Sequence, residues 1–187
     1  MIKGGVGGGN TQTGIFFEGI VDIVTYLDTK IENYSCVPKP KYKNKTMGVD
    51  IFYKNQQVAS SFKKYELYRF LELNGVKWEE ILSKKLLPDD AIYVIHNNTI
   101  FIIEVKYQEV AGSVDEKLQT CGFKLYQYRR LFAQLNYEVE YIYILNEWFN
   151  NPKYKDTLDY ILMQNCKYYF NYLPLHKIGL PIPNRKL

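Results

Sequence analysis

Leu86-Leu87-Pro88-Asp89-Asp90-Ala91-Ile92-Tyr93-Val94-Ile95-His96-Asn97-Asn98-Thr99-Ile100-Phe101-Ile102-Ile103-Glu104-Val105-Lys106-Tyr107-Gln108 is the stretch on which the fold turns. Ala91 to Ile95 and Ile100 to Val105 are apolar and rich in β-branched residues, and His96 to Thr99 between them has turn chemistry, so the stretch predicts a hairpin. A turn centred on Asn97 and Asn98 sets Asp89 opposite Lys106 and Ala91 opposite Glu104. Side chains alternate along a strand, so Glu104, Lys106 and Gln108 share one face, Asp89 joins them, and Asp90 points away. Same-face neighbours lie about 7 Å apart along a strand and opposed residues about 5 Å across it, so two carboxylates and an ammonium converge. Such a patch suits a hard divalent cation: Mg²⁺ takes one or two carboxylates and keeps water or phosphate oxygens in its shell. The bland alternative is a structural ion pair at the base of a hairpin, but burying three charges there without a use is costly.

Working outward, Ser113 and Glu116 form a capping box, and Val114, Leu118, Cys121, Leu125, Tyr128, Phe132 and Leu135 recur at helical spacing. One long helix is expected there, with Lys117, Lys124 and Arg129 off its apolar stripe and available to phosphates. Val139 to Leu145 is a further β-rich run, and strand, helix, strand makes a right-handed parallel unit beside the hairpin. Upstream, Phe17, Ile20, Val21, Val24 and Leu27 predict a helix from Ile15 to about Leu27, and Met47 to Lys54 reads as a strand. Asp50 lies in that strand, but no Glu-x-Lys follows it at suitable spacing before Glu104. Ser60 and Ser61 open a helix through Leu67, Phe70 and Leu71 that Asn74-Gly75 stops, and Trp78 to Leu82 is a short helical turn. The expected architecture is α/β, an αβββαβ core with a central mixed sheet flanked by helices.

Pro88-Asp89, a gap of fourteen residues, and Glu104-Val105-Lys106 after Phe101-Ile102-Ile103 resemble the PD-(D/E)XK motif of restriction-endonuclease-like nucleases. The continuation through Gln108 into Gly112-Ser113-x-x-Glu116-Lys117 is most similar to type II restriction endonucleases, and the likeness covers Ser83 to Leu145. It implies the same αβββαβ layout and Mg²⁺-dependent cleavage of double-stranded DNA, with Mn²⁺ able to substitute. Asp89 and Glu104 would be metal ligands, the Val105 carbonyl a third, Lys106 the residue beside the scissile phosphate, and Gln108 a group that orients water or phosphate. An ammonium between two carboxylates serves by its charge rather than as a free base. Glu18, on the first expected helix, is an accessory metal-site acid by the same likeness, or a residue of a solvated face. Lys84 and Lys85, just before the Pro-Asp corner, would contact the DNA backbone. Cutting both strands of a symmetric site calls for two active sites, hence a homodimer, and a restriction enzyme implies a cognate DNA methyltransferase. Two alternatives stay open: a structure-selective repair or junction nuclease of the same fold, and a non-catalytic DNA-binding module.

At 187 residues the chain is one domain, reading as a Gly-rich arm at 1–14, a basic loop at 36–46, a catalytic core at 83–145 and a C-terminal extension at 150–187. The arm lacks the Lys-Ser/Thr pair of a nucleotide-binding loop, since Ile15-Phe16 follows its last glycine; it is either a loop that orders on DNA or a plain terminus. In the basic loop Lys39, Lys41, Lys43 and Lys45 alternate between prolines, and an extended course would present all four ammoniums on one side to track phosphates; an ordinary polar loop is the other reading. Ser113 joins the expected DNA contacts, although its capping role already accounts for it. The net charge of +4 tilts mildly towards polyanions, and 18 tyrosines serve cores and phosphate or base contacts alike. Three cysteines without a Cys-x-x-Cys speak for a reduced compartment and against structural zinc, and two histidines make a His-based metal site a poor fit. With no bilayer-length apolar run and no signal-peptide core, the expected setting is cytoplasmic, in a bacterial or viral system.

Overall fold

The computed structural model describes residues 14–16, 22–109 and 114–183. Glu18, Ser113 and nearly all of the Gly-rich arm lie outside these residues. In chain order the elements are β1 (Gly14–Phe16), α1 (Ile23–Lys30), β2 (Tyr34–Pro38), β3 (Val49–Tyr53), β4 (Gln56–Phe62), α2 (Tyr65–Leu73), β5 (Asp90–Val94), β6 (Thr99–Lys106), α3 (Val114–Leu118), α4 (Cys121–Phe132), β7 (Glu138–Leu145), α5 (Lys155–Met163), β8 (Lys167–Phe170) and β9 (Tyr172–Pro174). Among the described residues, seven strands form one open mixed sheet in the order β2-β3-β4-β5-β6-β7-β8, and β1 pairs with β9 in a small ribbon. The β2 to β6 neighbours are antiparallel, while β6, β7 and β8 run parallel.

Helices cover both faces of the sheet, which explains why its central strands read as continuous apolar runs rather than alternating ones. Ile100 and Ile102 of β6 pack with Tyr141 and Tyr143 of β7 under α2, α4 and α5, whereas Phe101 and Ile103 pack with Ile142 and Ile144 under α1 and the Leu173 to Leu180 segment. Fully burying one such side chain contributes about 1.5 to 3 kcal/mol, so the centre of the sheet is its most stable part.

The structure corrects the sequence reading in several places. The first helix begins at Ile23, not Ile15, because Asp22 caps it: its carboxylate accepts from the backbone N–H groups of Val24 at 2.9 Å and Thr25 at 3.4 Å. Ser60 and Ser61 lie in strand β4 rather than opening a helix. That strand reads Gln-Gln-Val-Ala-Ser-Ser-Phe, a composition that conceals it, although the Lys54-Asn55 turn with both residues at positive φ is a hairpin signal. The expected long helix is interrupted at Gln119-Thr120, where the Thr120 hydroxyl donates to the Lys117 carbonyl at 2.7 Å. Residues 167–170, read as part of an extension, supply the edge strand β8 of the main sheet.

The hairpin forms, but its register differs by two residues from a turn centred on Asn97 and Asn98. Asp90 pairs with Ile103 and Ala91 with Ile102, so the ladder runs towards Asp89 opposite Glu104, around a loop of Ile95 to Asn98. Asn98 takes the left-handed residue of that loop (φ 51°), and its side chain ties it to Tyr93 and to the Asn136 carbonyl. A shift of two preserves the alternation of faces, so Asp89, Glu104 and Lys106 still emerge on one side.

Candidate active site

Glu104 and Lys106 occupy the last turns of the pleat in β6, and Asp89 immediately precedes β5, so all three stand at one end of the sheet. The Lys106 ammonium lies 2.9 Å from Glu104 Oε2 and 3.8 Å from Asp89 Oδ2. Asp89 Oδ2 also accepts from the Val105 backbone N–H at 3.0 Å, taking over a ladder position that β5 no longer reaches. A strand residue's N–H and C=O point to the same side, which directs the Val105 carbonyl to the Asp89 side as well. The Glu104 side chain is only 7% exposed, against 47% for Asp89, so the site opens to solvent on the aspartate side.

A fourth charged group completes the cluster. Lys124, from the first turn of α4, donates to both oxygens of Glu104, at 2.7 and 2.8 Å. This corrects its assignment as a surface phosphate contact: residues four apart on a helix are about 40° apart around its axis, so Lys124 stands close beside the buried Tyr128 and is drawn in by the carboxylate. Burial works to raise the Glu104 pKa, and the ammoniums of Lys106 and Lys124 overcome it, leaving the carboxyl below its ordinary value. Beneath it, burial next to this carboxylate pushes the phenols of Tyr141 and Tyr143 up, so they remain neutral. The buried Tyr141 hydroxyl faces this carboxylate and has no hydrogen-bond partner within 3.5 Å among the described residues.

The approach to Asp89 is held by two tyrosines, Tyr68 and Tyr128, of which the sequence reading singles out only Tyr128, as a residue of an apolar helix stripe. The Leu86 carbonyl accepts from the Tyr68 hydroxyl at 2.9 Å and the Tyr128 hydroxyl at 3.2 Å, and the Leu86 N–H donates to Tyr68 at 2.6 Å. Two residues on, the Pro88 carbonyl accepts from the Lys64 N–H at 3.2 Å. On the other strand, Asn146 acts as one more rung of the β6–β7 ladder: its side chain accepts from the Gln108 N–H at 3.2 Å and donates to the Gln108 carbonyl at 2.8 Å. Gln108 is thereby fixed with its side chain buried, rather than continuing an open face of the strand. The only sequence signal for these anchors is an Asn directly after an apolar strand and two Tyr on apolar helix stripes.

Asp90 faces the opposite side of the sheet, as expected. It is buried, accepts from the Ser61 hydroxyl at 2.7 Å, and its second oxygen has no partner among the described residues; burial pushes its carboxyl up to about 7. The basic loop is not an extended strip. Lys43 and Asn44, both at positive φ, make a tight turn between Tyr42 and Lys45, and Lys39 is ion-paired with Asp50, which also accepts from Ser60 and Gln57. Lys39 is therefore occupied, and Asp50 belongs to that cluster rather than to the site around Glu104. Lys43 pairs loosely with Glu72 at 3.5 Å, Lys41, Lys84, Lys117 and Arg129 are exposed, and Lys85 lies over the Trp78 ring at 4.3 Å.

Among the described residues no group of three or more His, Cys, Asp or Glu side chains gathers. The donors at this site are the Asp89 and Glu104 carboxylates and the Val105 carbonyl, all hard oxygens, which fits a Mg²⁺-type ion that keeps several waters. Compared with known proteins, the chain matches no family model, no curated protein and no solved structure. No helix among the described residues is long and apolar enough to cross a membrane.

Proposed function

We propose that the chain is a divalent-metal-dependent endonuclease that hydrolyses phosphodiester bonds of double-stranded DNA, on a restriction-endonuclease-like fold and of the type II restriction class. The observation that carries this reading is the meeting of Asp89, Glu104 and Lys106 at one sheet end, within 3.8 Å of the Lys106 ammonium. Asp89, Glu104 and the Val105 carbonyl would hold Mg²⁺ or Mn²⁺, which would polarise the phosphate and lower the pKa of water. In the reaction a water oxygen bonds to phosphorus, the bond to the leaving sugar oxygen breaks, and that oxygen takes up a proton. Lys106 supplies an ammonium on the open side of the site, where a non-bridging phosphate oxygen can accept from it as charge builds up. Lys124 keeps Glu104 charged and oriented. Asn146, Tyr68 and Tyr128 position the two segments that carry these groups. Cleavage of both strands of a symmetric sequence requires two copies of the chain.

The test is digestion of mixed-sequence plasmid DNA with Mg²⁺, followed by sequencing of the fragment ends. Discrete ends that disappear in Glu104→Ala and in Lys106→Ala support the reading. Preference for branched or mismatched substrates moves it to a repair or junction nuclease, and cutting that both variants retain overturns it.

A further inference from the structure

One cluster of positive charge lies outside the candidate active site. The tip of the 42–46 loop, the first turns of α2 and the segment before the Pro-Asp corner enclose a cleft of about 410 Å³, walled by Lys43, Lys45, Arg69 and Lys85 around Tyr65 and Tyr68. Among its lining residues four cations face one carboxylate, Glu72. Repulsion among cations opposes such a cluster unless an anion is there to receive them.

Two of these cations, Arg69 and Lys85, are held in position. Arg69 donates to the Thr46 carbonyl at 2.6 Å and to its hydroxyl at 3.3 Å, which pins the loop to α2. Between Tyr42 and Lys45, paired by reciprocal 3.0 Å hydrogen bonds, Lys43 and Asn44 accept positive φ values of 49° and 60°. The Lys85 ammonium lies 4.3 Å from the Trp78 ring, 5.1 Å from Tyr68 and 5.8 Å from Tyr65. A lysine ordered in this way loses less side-chain freedom on binding than an exposed one.

The cleft also adjoins the candidate active site. Tyr68 forms part of its wall and, through Leu86, fixes the run to Asp89. Asp89 lies four positions after Lys85, a run that even fully extended spans about 14 Å, and one DNA strand advances about 3.4 Å along the axis per nucleotide. We propose that this cleft is a phosphodiester-binding subsite that seats the DNA backbone within about four nucleotides of the scissile bond. It rests on the nuclease reading for its substrate and contributes binding rather than chemistry.

The experiment compares the full-length chain with Lys43→Gln/Lys45→Gln, a pair whose ammoniums are exposed and whose backbone turn the change leaves intact. Lys54→Gln/Lys177→Gln, at the opposite end of the sheet, serves as a charge-matched control. Affinity for a labelled DNA duplex is measured with Ca²⁺ over a range of salt concentrations, and cleavage at saturating duplex with Mg²⁺. The cleft variant should lose at least about tenfold in affinity at 0.1 M salt, and its log–log salt slope should flatten by about 2, with kcat and the control variant unchanged. Equal loss in both variants, or affinity and slope unchanged in the cleft variant, overturns the subsite. If the unaltered chain binds DNA and the cleft variant weakens it as described, but nothing is cut, the cleft stands as a DNA-backbone site, and the nuclease reading falls together with the placement beside a scissile bond. No duplex binding by the unaltered chain overturns both.

Discussion

Replacing Lys124 by alanine tests the charge balance of the site. Glu104 is nearly excluded from solvent and receives three short contacts from two ammoniums, two of them from Lys124. Removing one partner of a buried ion pair costs about 3 to 5 kcal/mol, and because Lys106 remains at 2.9 Å the lower end applies. The variant should therefore lose about 3 kcal/mol in urea unfolding at pH 7.5 without divalent ions, a fall in Tm of roughly 6 to 12 °C for a chain of this size. The sign with pH follows from Glu104: its folded pKa lies below the ordinary value of 4.5, so the stability it contributes is present above that value and is lost as pH falls through the lower one. The gap between parent and variant should thus close in acid, where a protonated Glu104 needs no cation. Added Mn²⁺ should raise the Tm of Lys124→Ala more than that of the parent, since in the parent the ion competes with an ammonium for the same oxygens. A variant as stable as the parent at pH 7.5 would refute the stabilising role of the Lys124–Glu104 pair. Equal Mn²⁺ shifts in the two proteins would refute the competition at Glu104.

Three further outcomes are expected. Asp90 has a folded pKa raised to about 7 from 3.8, so the folded state binds more protons between these values and stability declines as pH rises through that window, by about 4 kcal/mol at most; metal-free Asp90→Asn should show a flat profile from pH 5 to 8 and exceed the parent at pH 8, as read by denaturant unfolding. Asn146→Ala removes both hydrogen bonds to Gln108 and should lower Tm by a few degrees, for about 1 to 2 kcal/mol, while reducing kcat more than about tenfold through the lost placement of the β6 exit. Tyr128→Phe deletes one of the two hydroxyls on the Leu86 carbonyl and should cost about 1 kcal/mol, whereas Tyr68→Phe, which both donates to and accepts from Leu86, should cost more by the same assay.

How far the sequence could be read depended on whether a local pattern carried the physics. The β5–β6 hairpin and β7 were legible because strands buried on both faces must be apolar throughout, and the Asp89, Glu104 and Lys106 juxtaposition followed from side-chain alternation alone. It survived an error of two residues in the register because an even shift leaves the faces unchanged. Strand β4 was not legible: its residues are small and polar, and its place between β3 and β5 comes from long-range pairing that no local preference encodes. The role of Lys124 was half visible, in its position beside the apolar stripe of α4, but only the fold brings a buried carboxylate opposite it. The extended strip expected of Lys39, Lys41, Lys43 and Lys45 did not form for a related reason: Lys39 found Asp50 in the neighbouring strand, and the following residues turned back in a left-handed bend.

The central claim is that Asp89 and Glu104 together hold a divalent cation, and calorimetric titration of the metal-free chain with Mn²⁺ examines it most directly. Binding in the unaltered chain that is abolished in Glu104→Gln and weakened at least about tenfold in Asp89→Asn, with both variants folded by circular dichroism, is the predicted result. Mn²⁺ bound with the same affinity by all three proteins would contradict it.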